Sequence, residues 1–293
     1  MTLERRRTRR FALGVAAALA ATACRSTPPP IAKGNARRIV SLSPNTTETL
    51  FALGVGARVV GRSRFCDYPP EAKSLPSVGG YVDPSLEAIL ALAPDLVVGA
   101  RGPAGPALSQ KLGALGVATY FPETESMRDI DTMIEGLGER IGAAESARKL
   151  VSDLDARRRS IARAVAHEPR VRVLVVFGTS PIVAAGPRSF PDEMVAIANG
   201  QNVVTTGTGY PTLSVEHLVT LDPDVVINAS MAGVPEGERD GIRRDDPGWR
   251  ELAAVREGRV VAIHDEAVLR PGPRVGDGVA TFARALHPAA SVP

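Results

Sequence analysis

With 293 residues, 44% of them hydrophobic, the chain holds enough apolar material for one large core or two smaller ones. Its 35 basic and 32 acidic residues give a formal net charge of +3, but residues 1 to 24 hold five arginines and one glutamate, leaving 30 basic against 31 acidic groups in the remainder. That balance excludes a basic nucleic-acid-binding face, and a total of two cysteines excludes a disulfide-stapled scaffold.

Arg5, Arg6, Arg7, Arg9 and Arg10 precede the apolar run FALGVAAALAATA and Cys24, the layout of a secretory signal peptide. The run is too short to remain as a bilayer-spanning helix. Ala21, Thr22, Ala23 and Cys24 resemble a bacterial lipobox, with Ala21 standing where Leu is usual. Residues 1 to 24 are therefore predicted to be a lipoprotein-type signal peptide that ends in lipidation of Cys24, with cleavage to a soluble exported product as the alternative. Residues 25 to 36, RSTPPPIAKGNA, are expected to form a disordered tether. With Cys24 acylated, Cys66 has no partner and is expected to be a small buried hydrophobe, the alternatives being a reactive thiol or a metal ligand.

The folded chain opens with ARRIVSLSPNTTETLFALGVGARVVGRS, a strand, a capped helix and a second strand. Next comes FCDYPPEAKSLPSVGGYVDP, a loop punctuated by Pro and Gly that carries Phe65, Tyr68 and Tyr81. Residues 80 to 99, GYVDPSLEAILALAPDLVVG, read as a Ser-capped helix with an acid in its first turn, then a Pro-Asp turn and an apolar strand. A Gly/Pro loop containing Arg101 leads to a further helix and strand, and this first lobe is placed at residues 37 to 142. Residues 143 to 168 contain neither Pro nor Gly, and Ala147, Leu150, Val151, Leu154, Ile161 and Val165 recur at helical spacing. A helix of that length is a rod of roughly 35 Å, either joining two lobes or belonging to one of them. The second lobe, residues 169 to 289, begins with the strand VRVLVVF, which ends in Phe177, followed by the loop GTSPIVAAGPRSF and the helix PDEMVAIANG.

The segment at 80 to 99 returns 129 positions later, without a gap, as GYPTLSVEHLVTLDPDVVIN. Gly80/Gly209, Tyr81/Tyr210, Ser85/Ser214, Glu87/Glu216, Leu92/Leu221, Pro94/Pro223, Asp95/Asp224 and Val97/Val226 are shared. LFALGVGARVVG, from residue 50, likewise has the pattern of MVAIANGQNVV, from residue 194. Capping and turn chemistry alone would supply Ser, Pro and Asp but not the matched Tyr. A period this long is the size of a domain rather than of a solenoid unit. The predicted fold class is α/β: two Rossmann-like lobes with parallel sheets, joined by one long helix, with a ligand cleft between them. Ligands of such sheets sit beyond the carboxyl ends of the strands, where the loops of Phe65, Tyr68, Arg101, Phe177, Tyr210 and Asp265 fall. There is no G-x-G-x-x-G after the first strand, no G-x-S-x-G and no P-loop, and His167, His217, His264 and His287 are scattered. An enzyme is thus the remote alternative.

RIVSLSPNTTETLFALG, DYPPEAKSLPSVGGYVDPSLEAILALAPDLVVG, YPTLSVEHLVTLDPDVVI and RPGPR resemble the cobalamin-binding proteins of bacterial ABC importers, from about Arg38 to His287. The haem and ferric-siderophore binders share that family's architecture. The resemblance implies an exported, monomeric carrier with no catalytic activity and no resident cofactor. It would be anchored by lipid in the periplasm or cell envelope and hold cobalamin or a related corrinoid for a permease dimer. It implies that Glu87 and Glu216, one per lobe, dock on arginines of the permease. For the cleft it implies Phe65, Tyr68, Tyr81, Arg101, Phe177 and Tyr210 as ligand-contacting residues, with Tyr81 and Tyr210 standing where the family has Trp. Asp265 and Arg270 map onto the acid and cation of the last cleft loop with a spacing one residue longer, so Glu266 rivals the first and Arg274 the second. Ala100 replaces a family Trp, and the single Trp249 lies in a segment typical of the fold. Haem or a ferric siderophore is the alternative ligand, with Tyr81 or Tyr210, and more remotely His264, as axial ligand for haem iron.

Overall fold

The computed structural model describes residues 34–102, 105–232 and 241–293. The expected signal segment, the lipidation site Cys24 and the tether up to residue 33 lie outside the described residues. Ala36, assigned to the tether from the sequence, is buried, and its N–H points to the Arg140 carbonyl at 3.4 Å, so the folded body begins before residue 37.

The first sheet contains β1 (Ile39–Ser41), β2 (Val59–Arg62), β3 (Leu96–Val98) and β4 (Ala118–Tyr120), all parallel in the order β2-β1-β3-β4. The crossovers carry α1 (Pro44–Ala52), α2 (Leu86–Ala91) and α3 (Gly105–Ala114). β1 and β3 are buried at every position, which is why they read as unbroken apolar runs rather than alternating ones. After β4 comes α4 (Met127–Ile141), an element the sequence reading did not single out. Its signal was present in Ser126 and Asp129, which form a reciprocal capping box, and in Met127, Ile130, Met133, Ile134, Leu137 and Ile141, which are all buried on one face. Gly142 ends α4 in the left-handed conformation (φ 72°), and α5 (Ala144–Ala164) follows. The helix predicted to reach residue 168 stops four residues earlier, and Asn199 Nδ2 donates to the freed carbonyls of Val165 and Glu168 at 3.1 and 2.8 Å.

The second sheet holds β5 (Val171–Thr179), β6 (Ile182–Ala184), β7 (Gly200–Asn202), β8 (Thr212–Leu213), β9 (Val225–Asn228) and β10 (Val260–Ala262). Its helices are α6 (Phe190–Ile197), α7 (Val215–Leu221), α8 (Ala253–Arg256) and α9 (Val275–Leu286). The parallel strands run β7-β5-β9-β10, the order of the first sheet repeated. Against expectation this sheet is mixed, because β6 pairs antiparallel with β5 and β8 antiparallel with β6. The reason lies in β5, nine residues long. β7 covers only its first three residues, and the chain turns back at Ser180 and Pro181 so that Ile182–Ala184 occupies the open edge beside Val176 to Thr179.

The sequence repeat corresponds to a repeated structural device. Ser85 accepts from the Ala88 N–H at 3.2 Å and Ser214 from the His217 N–H at 3.2 Å, each capping its helix. Ala93 and Asp222, 129 positions apart, both adopt the left-handed conformation, with φ of 44° and 42°. Asp95 accepts from the Arg37 and Arg38 N–H groups at 2.8 and 3.1 Å, and Asp224 from the Arg172 N–H at 2.9 Å. The Arg38 and Arg172 guanidinium groups in turn cap the helix-end carbonyls of Leu92 and Leu221 at 2.7 and 2.8 Å.

A single apolar cluster runs from Ile39, Leu50 and Leu96 of the first lobe through Ile134 of α4 and Leu154 and Ile161 of α5 to Val173, Phe190 and Val279 of the second. Arg157 of α5 also pairs with Asp277 of α9 at 2.7 Å, and the Met127 N–H donates to Glu193 of α6 at 2.9 Å. The two lobes therefore share a packed core along the helix pair, which resists hinge bending. Trp249, buried with Leu218 and Val226, belongs to a separate core on the far face of the second sheet.

Candidate functional site

The loops leaving the carboxyl ends of the parallel strands supply the side chains that sequence reasoning selected. From the first lobe, the loop after β2 presents Phe65, 53% exposed, and Tyr68, 44% exposed. Tyr81 stands before α2, and its hydroxyl donates to the Arg101 carbonyl at 2.8 Å, tying the loops after β2 and β3 together. The Arg101 side chain is exposed and paired with Glu123. From the second lobe, Phe177 near the end of β5 packs edge-on against Tyr210, with ring centroids 5.9 Å apart and planes at 65°. Tyr210 remains 40% exposed. Burial and the nearby Glu125 push its phenol well above the usual tyrosine range, and burial with Glu125 and Glu123 raises Tyr81 as well.

Asp265, Glu266, Arg270 and Arg274 lie in the loop between β10 and α9, and they do something the sequence reading did not anticipate. Glu48 of α1, with its side chain 1% exposed, accepts from Arg270 Nη1 at 2.9 Å and from Arg274 Nε and Nη2 at 2.8 and 2.9 Å. Arg270 also pairs with Asp67 at 2.8 Å and with Glu266. The Arg274 guanidinium lies 4.1 Å over the Tyr68 ring and 4.0 Å from Asp265. Asp265 itself caps the following turn by accepting from the Ala267 N–H at 2.8 Å. Asn45 Nδ2 reaches the Pro271 carbonyl at 3.3 Å, so Asn45, Glu48, Asp67 and the Tyr68 ring of the first lobe all fasten the arginine loop. Both arginines are thus held mainly by a buried acid from the other lobe, and Glu266 rather than Asp265 is the loop acid on Arg270. Burial raises the Asp67 carboxyl, but the Arg270 guanidinium outweighs it and leaves Asp67 below its ordinary range.

Under this cluster, Glu48, Phe51, Tyr68, Leu150, Pro273 and Arg274 line a cavity of about 650 Å³. Cys66 is buried, and burial pushes its thiol up against the opposing bonds of Thr47 and Ser63, so it is an inert packing group at neutral pH. Glu87 and Glu216 are exposed in the first turns of α2 and α7. The backbone N–H of Glu216 and the Ser214 hydroxyl hold its carboxyl below the ordinary range. Among the described residues, no group of three or more His, Cys, Asp or Glu side chains converges as a metal site.

Glu48, Asp67 and Glu125 escaped the sequence reading. Glu48 sits inside a run, Asn45 to Leu50, that is buried on every side, and nothing local marks it as the partner of arginines 222 and 226 positions away.

Two lobes of repeated 2-1-3-4 topology, fused along a helix pair and carrying aromatic loops beyond the ends of their strands, have the architecture of a solute-binding protein. Residues 39–267 match the periplasmic binding protein family, and the chain belongs to that family. It is 31% identical over 244 residues to the vitamin B12-binding protein of Vibrio parahaemolyticus, an alignment covering 81% of this chain and 84% of that one. It is 29% identical over 263 residues to an uncharacterized ABC transporter substrate-binding lipoprotein of Bacillus subtilis, covering 87% and 82%. The periplasmic heme-binding protein RhuT of Roseiflexus has a similar structure, with a TM-score of 0.74, 30% identity, and coverage of 88% of this chain and 100% of that one.

Proposed function

We propose that this protein is an exported, lipid-anchored, monomeric receptor that captures cobalamin or a related corrinoid between its lobes and delivers it to an ABC importer permease. The observation that carries the reading is the set of aromatic rings on loops of both lobes. Phe65, Tyr68 and Tyr210 are left 53%, 44% and 40% exposed, whereas Phe190, Trp249 and Phe282 are buried and Phe51, Tyr81, Tyr120, Phe121 and Phe177 half-buried. Open apolar rings at the carboxyl ends of parallel strands suit a flat macrocycle, and they are costly to leave bare without such an occupant. The B12-binding relative in Vibrio parahaemolyticus supports the ligand. Cys24 in its small-residue setting and the Bacillus subtilis lipoprotein support the anchor.

A second reading, haem as the ligand, is favoured by the Roseiflexus relative and by the tyrosines at 81 and 210. It requires a phenolate on the iron, whose own charge would draw off the phenol proton on binding; in the ligand-free protein burial and Glu125 raise the Tyr210 phenol. In either reading the protein is a carrier and not a catalyst.

Glu87 and Glu216, matched by the repeat, are the acids offered to a two-fold permease. Such exposed charges set register and encounter more than affinity. Release follows when the permease binds the ligand-free receptor better than the loaded one. The test is uptake of labelled cyanocobalamin by cells carrying the cognate permease. The double substitution Glu87→Ala, Glu216→Ala abolishes uptake while leaving cobalamin affinity within about threefold, and full uptake by that variant contradicts the docking assignment.

A further inference from the structure

Glu125, in the turn between β4 and α4, is exposed. Its charge acts on both Tyr81 of the first lobe and Tyr210 of the second. A Cβ built on Gly209, next to Tyr210, would stand 3.9 Å from Glu125 Oε2. Among the described residues, the Glu125 carboxylate has no ion pair and no hydrogen bond, and partial burial together with the acids Glu123 and Asp129 raises it above the ordinary carboxylate range.

The cations of the surrounding loops are already committed. Arg64 pairs with Asp83, Arg101 with Glu123, and Arg270 and Arg274 with Glu48, Asp67 and Glu266. Arg188, exposed in the turn before α6, is not among the charged neighbours of Glu125. The exposed Glu125 carboxylate is thus an acceptor beside Gly209 and near Tyr210, with no cation paired to it among the described residues.

We propose that the cleft selects macrocyclic metal chelates whose rim carries amide N–H donors over those whose rim carries carboxylates, and that Glu125 is the acceptor that sets the choice. This deepens the corrinoid reading above and rests on it. An amide N–H can donate to this carboxylate, and a hydrogen bond to a charged group is stronger than one to a neutral group. A rim carboxylate in the same place meets a like charge with nothing to neutralise it, and such juxtapositions are strongly penalised.

Two corrins that differ only at the rim provide the test: dicyanocobinamide, which carries amides, and dicyanocobyrinic acid, which carries carboxylates. Each is titrated at neutral pH into the protein lacking residues 1 to 24 and into its Glu125→Gln and Glu125→Ala variants, with thermal unfolding confirming that the variants fold. The wild type is expected to favour the amide corrin by at least about tenfold, and both variants to reduce that ratio to about threefold or less. Equal binding of the two corrins by the wild type overturns the inference and leaves the corrinoid reading standing. A ratio that survives in both variants overturns the role of Glu125. Failure of both corrins to bind the wild type overturns the corrinoid reading and this inference with it.

Discussion

Replacing Glu48 with glutamine should loosen the fastening between the lobes, and the structure sets the size of the effect. The Glu48 carboxylate is 1% exposed and accepts three guanidinium N–H groups from two arginines of the other lobe. Removing one member of a buried ion pair typically costs about 3–5 kcal/mol, because the remaining charge is left without compensation. Here the loss is smaller on the Arg270 side, which keeps Asp67 and Glu266. Arg274 is left with the Tyr68 ring and with Asp265 at 4.0 Å. The introduced amide would also turn its N–H donors toward guanidinium donors. We expect a loss of about 2–4 kcal/mol, read as a lower urea midpoint at unchanged slope, since the shared core makes the lobes unfold together. Glu48→Gln within about 0.5 kcal/mol of the wild type would refute the reasoning that this buried acid holds the arginine loop in place.

Other outcomes follow from the same geometry. Tyr210→Ala removes a partly exposed ring that packs on Phe177. It should weaken cyanocobalamin binding by about 2 kcal/mol, roughly thirtyfold, measured by calorimetry; a change under about twofold would place the macrocycle elsewhere. Asp67, held by Arg270 below its ordinary 3.8, is more acidic folded than unfolded. Its contribution is therefore complete above that value and is lost as pH falls through the lower, folded one. Urea midpoints taken from about pH 5 to about pH 3 should fall more steeply for the wild type than for Asp67→Asn, and parallel curves would contradict the pairing.

Much of the architecture was legible because local rules and the hydrophobic pattern agree. The Ser caps at 85 and 214, the left-handed residues at 93 and 222 and the acids at 95 and 224 recur because each half must turn a helix into a buried strand in the same way. The hairpin strand Ile182–Ala184 was not legible, since its only cue is the unpaired edge that a long β5 leaves beyond β7. That Phe65, Tyr68 and Tyr210 lie on loops with their rings partly exposed was legible from the Pro- and Gly-rich composition of those segments. The pairing of Arg270 and Arg274 with Glu48 was not found, because it depends on a three-dimensional meeting across 222 to 226 positions. Glu125 was missed for a related reason: one acid in the sequence FPETES gives no sign that Gly209 and Tyr210 of the other lobe lie against it.

The most direct test of the account is a parallel calorimetric titration of the protein lacking residues 1 to 24 with cyanocobalamin and with haemin, the haemin sample also being followed by its Soret band. The account predicts one-to-one binding of cyanocobalamin and an unshifted Soret band. Tight binding of haemin with a shifted Soret band, and no heat from cyanocobalamin, would contradict it.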